Sequence, residues 1–220
     1  MAQPRWFSED PHLAWAFYGH RLQLYRKTTP HPGFDLLRNL ASTHSAGSFV
    51  VTSNVDGQFQ KAGFDLDRIV ECHGSIHHLQ CVRGCTETVW PADGLEVRFD
   101  EEHFRAVEPL PRCPACGGIA RPNILMFGDH DWLGHRTDAQ EARWNHWLRG
   151  IQSSSARLVI VELGAGQAVP TIRRTSERIA HALDGLLIRI NPREPSVPTG
   201  HLGLPMGAAE ALDRLRVLLA

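Results

Sequence analysis

The chain has 220 residues and a mass of 24.6 kDa, which suffices for one or two domains with a buried core. Apolar residues make up 42% and charged residues 21%, a composition that excludes a disordered or collagen-like chain. Basic residues number 23 and acidic residues 24, so the charge pattern shows neither a basic footprint for nucleic acid nor an acidic tail.

Membrane and export signals are missing from the pattern. No apolar run approaches the roughly 20 residues that cross a bilayer, and residues 1–6 lack the apolar core of a signal peptide. We therefore expect a cytoplasmic protein whose cysteines are reduced, with neither nucleic acid nor a membrane as its partner.

Two helices are predicted at the start of the chain. Ser8 is a suitable N-cap, and apolar side chains recur at helical spacing from there to residue 27. Pro30 and Pro32 end this pattern, and a second helix is predicted from about residue 32 to residue 43.

Short β-branched runs then predict strands that are covered on both faces, as in a parallel sheet. The predicted strands are 49–52, 68–72, 123–127, 157–163 and 186–190, and the later predicted helices are 137–150, 170–183 and 208–219. The order of strand, glycine turn, helix and strand over 157–190 is a βαβ unit with a right-handed crossover. The predicted fold class is α/β.

Residues 79–121 interrupt this pattern with a loop-rich insert that contains four cysteines. Cys81 and Cys85 form one close pair, and Cys113 and Cys116 form another. Two such knuckles can present four thiolates to one tetrahedral Zn²⁺, and four thiolates leave no open position, so this metal is predicted to be structural. The alternative is four unrelated buried cysteines. Cys72 is interpreted as a small buried hydrophobic residue.

Polar residues and glycines follow four of the predicted strands, and ligands bind at the carboxyl ends of strands in open parallel sheets. These candidate site residues are Asn54, Asp56, His73, Gly164, Ala165, Gly166 and Asn191. Each has a structural alternative: a turn former, a surface histidine or a plain strand-to-helix turn. The glycine turn lacks a third glycine and an acidic residue at the usual distance, so it is a weak dinucleotide fingerprint.

Taken together, these segments resemble the sirtuins, the family of NAD⁺-dependent protein-lysine deacylases, in their bacterial type. The resemblance rests on residues 50–57, 62–63, 71–75, the two cysteine pairs, 121–129, 162–166 and 190–192. Their order and spacing match the family from about residue 8 to the end of the chain.

The resemblance implies a Rossmann-like domain of residues 1–78 and 122–220, which includes a helical segment at 8–45, and an inserted zinc-binding module at 79–121. NAD⁺ would lie in the cleft between them. By position, the resemblance implies that Asn54 and Asp56 contact the nicotinamide and that His73 is the general base. It implies that Gly164, Ala165 and Gly166 contact the adenosine and that Asn191 binds the adenine ribose. Phe127 and Gly128 would border the acyl-lysine channel.

The implied activity is removal of an acyl group from lysine in a protein or peptide substrate. The acyl oxygen attacks the nicotinamide ribose, nicotinamide leaves, and the histidine removes a ribose hydroxyl proton, which yields O-acyl-ADP-ribose. Two alternatives are a non-catalytic zinc-containing module that binds peptides, and mono-ADP-ribosyl transfer in the same cleft. The oligomeric state is not predicted.

The sequence departs from the family at its start. The family's first strand, its Gly-Ala-Gly-x-Ser phosphate loop and the following Gly-Ile-Pro-Asp-Phe-Arg have no counterpart in the 220 residues. That loop holds the pyrophosphate at a helix N-terminus. For these residues alone we expect weak cofactor binding, impaired activity and an exposed strand edge. Ser53, Cys72 and Asp129 stand where the family has Gln, Leu and Glu.

Overall fold

The computed structural model describes residues 1–100, 102–154 and 156–219. Its α-helices are α1 (Trp6–Glu9), α2 (Pro11–Lys27), α3 (Pro32–Ser42), α4 (Gln58–Lys61), α5 (His135–Ser154), α6 (Thr171–Ala182) and α7 (Ala208–Leu218). Its strands are β1 (Val50–Thr52), β2 (Ile69–Glu71), β3 (Gly74–Cys81), β4 (Trp90–Pro91), β5 (Phe99–Asp100), β6 (Arg105–Ala106), β7 (Ala120–Ile124), β8 (Val159–Leu163), β9 (Leu186–Ile190) and β10 (Leu202–Leu204).

The chain forms two compact units, each built from two segments. The first unit contains residues 1–29 and 54–141, and the second contains residues 30–53 and 142–220. The predicted zinc module at 79–121 falls within the first unit. The predicted domain boundaries on either side of that module remain a prediction.

The first unit begins with two helices where the sequence predicted one from residue 8 to residue 27. The carboxylate of Asp10 accepts a hydrogen bond from the Leu13 N–H at 3.2 Å, and Pro11 occupies the first turn. Asp10 therefore caps a new helix, α2, directly after α1. Phe7 of α1 packs edge-to-face on the buried Trp15 of α2 with ring centroids 5.7 Å apart, which joins the two helices in one core.

An antiparallel sheet in the order β4-β3-β7 forms the centre of the first unit. The strand predicted at 123–127 lies instead at 120–124 and pairs with β3, which the sequence did not predict. The reason is that β3 buries polar side chains, so its pattern does not alternate. Gln80 is one of them, and its side-chain oxygen accepts a hydrogen bond from Asn123 Nδ2 at 2.9 Å. This partner lets both amides lie in the interior.

The second unit contains the predicted βαβ element. β8 and β9 are parallel and in register, with Val159 opposite Leu186, and α6 connects them and packs against both strands. β10, a three-residue strand that the sequence did not predict, adds to β9 in parallel and completes the order β10-β9-β8. The parallel α/β prediction is thus confirmed for this part of the chain.

An ion pair is buried beneath α6. Arg189 of β9 and Glu162 of β8 lie opposite each other, both side chains are 0% exposed, and their guanidinium and carboxylate groups are in direct contact. Arg189 also donates to Glu177 of α6 at 2.9 Å and to the Ser196 carbonyl at 2.5 Å. These bonds satisfy the guanidinium, which makes its burial tolerable.

Replacing Arg189 with methionine should therefore lower the free energy of unfolding by about 3–5 kcal/mol, because Glu162 then becomes an unpaired buried charge. Urea denaturation followed by circular dichroism measures the change. Arg214→Met is the matched control, because Arg214 pairs with Glu210 at 2.7 Å on the surface and its loss should cost less than about 1 kcal/mol. Equal losses in the two variants would contradict the argument.

Across the described ranges, no helix combines the length and apolar character needed to traverse a bilayer.

Candidate functional site

The four cysteines of the predicted zinc module meet in the first unit. Cys81 ends β3, and the sulfur atoms of Cys81, Cys85, Cys113 and Cys116 all lie within 4.8 Å of one another. The Cys81 and Cys116 sulfurs are 3.7 Å apart, and those of Cys85 and Cys113 are 3.6 Å apart. Sulfur atoms around a tetrahedral Zn²⁺, with Zn–S bonds of about 2.3 Å, are separated by about this distance. The donor set therefore fits a structural zinc ion.

The electrostatics of the cluster favour a thiolate. Burial raises the pKa of the Cys81 thiol, but hydrogen bonds from the Cys85 backbone, the Cys85 thiol and the Arg83 backbone outweigh it and bring the pKa to about 7. Cys85 has its pKa raised by the neighbouring thiols of Cys116 and Cys81, which compete for the same negative charge. A divalent cation among the four sulfurs relieves that competition.

His73 lies between β2 and β3 and is half-buried. Its carbonyl oxygen accepts a hydrogen bond from the Leu125 N–H at 3.0 Å, which ties it to the segment after β7. The next residue, Gly74, has a φ of +75°, and a Cβ atom there would lie 2.1 Å from the carbonyl oxygen of Asn123. The backbone conformation next to His73 therefore requires glycine at position 74.

Gly74→Ala should consequently lower the free energy of unfolding by more than about 3 kcal/mol, because the added methyl group both clashes with the Asn123 carbonyl and strains the backbone. Gly94→Ala separates the two effects. Gly94 has a φ of +67° but an added Cβ would meet nothing within 4 Å, so that variant should lose only about 1 kcal/mol. Thermal unfolding monitored by circular dichroism compares them, and similar losses would show that the clash is relieved at little cost.

A cavity of about 590 Å³ opens in the first unit close in sequence to His73. Asp56, Ser75, His77 and His78 contribute to its wall. Asp56 also serves as the turn former that the structural alternative predicted, because its carboxylate accepts a hydrogen bond from the Gln58 N–H at 3.0 Å. The two histidines are not among the predicted site residues, yet they share a cavity with Asp56, a predicted nicotinamide contact.

His78 in this cavity is neutral at physiological pH. Burial, aided by the nearby Arg136 guanidinium, lowers the pKa of its imidazole to about 4. His77 is held differently: its Nε2 lies 3.0 Å from the Asp56 carbonyl oxygen, and its ring covers Gly57, where an added Cβ would be 2.8 Å from the ring. The His77 ring is thus fixed in the wall by this contact.

The predicted acyl-channel residues lie on a loop that follows β7. Phe127 is 68% exposed, and Gly128 has a φ of +68°. The loop is fixed beneath the surface, since Arg121 donates two hydrogen bonds, of 2.6 and 2.8 Å, to the carboxylate of Asp129, and the Met126 N–H donates to the same carboxylate at 3.3 Å. Asp129, which stands where the family has Glu, therefore holds the loop in place, and Phe127 lies exposed on this loop.

In the second unit, the glycine turn and Asn191 meet at the carboxyl end of the parallel sheet. The Gly164 N–H donates to the Ile190 carbonyl at 2.9 Å, and Asn191 Nδ2 donates to the Ala165 carbonyl at 3.1 Å. Gly164 has a φ of +70°, and a Cβ there would meet nothing within 4 Å. The turn is therefore bound to the end of β9 while its own backbone stays open to an approaching ligand.

Glu194 also contacts the glycine turn, although no acidic residue follows that turn at the sequence distance usual for a dinucleotide fingerprint. Its carboxylate accepts a hydrogen bond from the Gln167 N–H at 2.9 Å and would lie 3.2 Å from a Cβ at Gly166. Its backbone is fixed by Asn191 Oδ1, at 3.0 Å from the Glu194 N–H, and by Arg173, which donates to the Glu194 carbonyl at 3.0 Å. An acidic residue that is distant in sequence therefore lies beside the glycine turn.

A second cavity, of about 640 Å³, borders Gly185 and Leu186 at the start of β9. It lies at the opposite end of that strand from Asn191. Because open parallel sheets bind ligands at the carboxyl ends of their strands, this cavity is not the candidate site despite its size.

The predicted site residues are therefore grouped within each unit. The first unit contains Asn54, Asp56, His73, Phe127, Gly128 and the four cysteines, and the second contains Gly164, Ala165, Gly166 and Asn191. Their individual roles remain predictions.

Comparison with known proteins identifies the family. The sequence model described as "Sir2 family" matches residues 1–145, well over half of the chain. The chain belongs to the Sir2 family. A Thermus thermophilus protein named NAD-dependent protein deacylase is 31% identical over 220 residues, which cover 97% of this chain and 75% of that protein. NAD-dependent protein deacylase 2 of Pyrobaculum aerophilum is 30% identical over 217 residues, covering 98% of this sirtuin and 76% of that protein.

Solved sirtuin structures share the fold. A mutant Sir2 homologue in complex with ADP-ribose superimposes with a TM-score of 0.73 at 24% identity, over 100% of this chain and 80% of that chain. Sir2 bound to an acetylated peptide superimposes with a TM-score of 0.67 at 23% identity, over 97% of this chain and 80% of that chain. The α/β sirtuin fold predicted from the sequence is confirmed.

Proposed function

We propose that this sirtuin is a cytoplasmic NAD⁺-dependent protein-lysine deacylase that converts NAD⁺, an acylated lysine and one water molecule to nicotinamide, O-acyl-ADP-ribose and free lysine. The observation that carries the proposal is the arrangement at the carboxyl end of β8 and β9, in a chain of this family. There the glycine turn, Asn191 and Glu194 are hydrogen-bonded into one group that offers open backbone on one side and a carboxylate on the other. Dinucleotides bind to this combination in βαβ units.

The adenosine half of NAD⁺ is assigned to that group. Asn191 and Glu194 are the proposed partners of the ribose hydroxyls. The Glu194 carboxylate can accept a hydrogen bond from a hydroxyl, whereas Asn191 would donate one from its second Nδ2 hydrogen, because its Oδ1 already accepts from the Arg193 and Glu194 N–H groups. Gly164, Ala165 and Gly166 provide backbone against the nucleotide. Glu194 extends the residue set that the sequence predicted.

The reacting end of NAD⁺ is assigned to residues of the first unit. Asn54 and Asp56 are the proposed contacts of the nicotinamide end, which is supported by the position of Asp56 in the wall of the 590 Å³ cavity. NAD⁺ supplies the electrophilic ribose carbon and a leaving group. His73 acts as general base: its imidazole takes a proton from a ribose hydroxyl so that this oxygen can receive the acyl group.

The substrate and the metal complete the proposal. Phe127 and Gly128 border the acyl-lysine channel, an assignment supported by the exposed ring on a rigid loop. Cys81, Cys85, Cys113 and Cys116 hold a zinc ion that stabilises the first unit and takes no part in the reaction, because four thiolates leave it no open coordination position.

The test mixes the protein with NAD⁺ and an acetyl-lysine peptide and measures free nicotinamide and O-acetyl-ADP-ribose by mass spectrometry. Deacylation yields both products in equal amounts. Nicotinamide with ADP-ribose attached to protein would instead identify mono-ADP-ribosyl transfer. If a folded, zinc-loaded sample releases no nicotinamide and shows no heat of binding with NAD⁺, the enzymatic proposal is wrong and the peptide-binding alternative replaces it.

A further inference from the structure

Three residues in the first turns of α5 bind a single residue of β2, Glu71. Thr137 Oγ1 donates to the Glu71 carbonyl at 3.0 Å, Gln140 Oε1 accepts from the Glu71 N–H at 3.0 Å, and the Arg136 guanidinium is in direct contact with the Glu71 carboxylate. Arg136, Thr137 and Gln140 are called here the Glu71 clamp. The N–H, the carbonyl and the carboxylate of Glu71 are therefore all held by one helix.

Glu71 and two of the three clamp residues are buried, and the Arg136 side chain is 22% exposed. Glu71 is 1% exposed, and Thr137 and Gln140 are also buried. A buried polar group that loses its partner is destabilising, and a buried charge that loses its partner is more so, which strongly disfavours alternative positions of residue 71. The field of Arg136 extends beyond the clamp, since it contributes to the lowered pKa of His78.

His73 follows two residues after this fixed point. On its other side, the Leu125 N–H binds the His73 carbonyl, and Gly74 packs directly against the Asn123 carbonyl. The backbone that carries the imidazole is therefore fixed at residue 71 by a helix and at residues 73–74 by the segment from Asn123 to Leu125. An error of about 1 Å in the position of a catalytic group can cost roughly a hundredfold in rate.

We propose that Arg136, Thr137 and Gln140 are positioning residues that set the location of the His73 imidazole through Glu71. This inference rests on the proposed function for its catalytic meaning, but the position of the imidazole can be measured without turnover. Each bond that defines the clamp ends on Glu71. Arg136 and Gln140 also line the 590 Å³ cavity, whereas Thr137 does not, so Thr137 is the member whose effect passes through the backbone of residues 71–73 alone.

Thr137→Val tests the proposal, because valine keeps the shape of threonine and removes only the hydroxyl that binds the Glu71 carbonyl. Thr137→Ser is the matched control, since it keeps the hydroxyl. Two measurements are made on the full chain: the NMR titration of the His73 ring, assigned by its loss in His73→Asn, and the pH profile of nicotinamide release. Gln140→Met is a second variant, which removes the hydrogen-bond acceptor of the Glu71 N–H instead of the donor to its carbonyl.

The expected result is a shift of the His73 titration midpoint by about half a pH unit in Thr137→Val, because a displaced ring changes its burial and its neighbouring charges. In parallel, kcat should fall about tenfold with KM changed less than about twofold. Thr137→Ser should restore wild-type behaviour in both measurements, and Gln140→Met should resemble Thr137→Val.

Two results overturn the inference. One is a Thr137→Val protein with a lower melting temperature but an unchanged His73 titration and pH profile, which would make the clamp purely structural. The other is an equal effect of Thr137→Ser, which would show that the hydroxyl is irrelevant. If the wild-type protein releases no nicotinamide, the proposed function fails, while the NMR titration still decides whether the clamp positions the imidazole.

Discussion

His73→Ala will reduce NAD⁺-dependent deacylation by roughly 10²–10⁴-fold, the usual contribution of a general base. The reason is that, in the proposed mechanism, the imidazole takes the ribose hydroxyl proton, and the backbone around His73 is held on both sides. Single-turnover measurement of nicotinamide and O-acetyl-ADP-ribose separates the affected step. Nicotinamide release should be less impaired than acyl transfer, because proton removal follows the departure of nicotinamide.

His44→Ala is the control for this variant, because His44 is exposed and lies in the second unit. Its activity should stay within about twofold of wild type, the scatter expected for a neutral surface change. His73→Ala must also keep its zinc and its circular dichroism spectrum. A variant that unfolds would identify His73 as a structural residue, and one that retains full acyl transfer would remove it from the mechanism.

Cys113→Ser will release the metal and destabilise the first unit, with a fall in melting temperature of more than about 10 °C. Cys113 is 2% exposed and lies between β6 and β7, so losing the zinc also removes the crosslink that closes the long connection from β3 to β7. Zinc content by atomic emission and thermal unfolding by calorimetry measure the two effects. Chelation of the wild-type protein should reproduce the second effect.

Cys72→Ser is the matched control, because it removes a thiol outside the cluster. Burial raises the pKa of Cys72 to about 11, so this side chain is an uncharged thiol at neutral pH and a poor metal ligand. This variant should keep its zinc and most of its stability. A Cys113→Ser protein as stable as wild type would contradict the zinc assignment.

Features set by short stretches of sequence were predictable. The spacing within Cys81–Cys85 and Cys113–Cys116 indicated the four-sulfur cluster, and the mainly apolar runs of β8 and β9, each with one charged residue, indicated the βαβ unit with its glycine turn. In each case the residues that decide the structure are close in sequence or share one periodic pattern.

Features set by tertiary partners were not predictable. Gln80 and Asn123 are buried in adjacent strands, where they bond each other and the carbonyls of Asp131 and Leu133, and the sequence does not reveal these partners. Glu194 reaches the glycine turn only because α6 and β9 return the chain to β8. The Glu71 clamp joins residues that are 65–69 positions apart. The resemblance to sirtuins identified candidate site residues but did not predict these tertiary contacts.

β3 runs from Gly74, the residue after His73, to Cys81, the first cysteine of the cluster. At about 3.3 Å per residue, its eight residues span roughly 23 Å, and its pairing with β7 shifts register once, between Ser75 and Leu79. A displacement of about 1 Å at the histidine end can already cost roughly a hundredfold in rate. The four-sulfur cluster and the segment that carries the histidine thus share one strand, and metal depletion should lower acyl transfer before the protein unfolds.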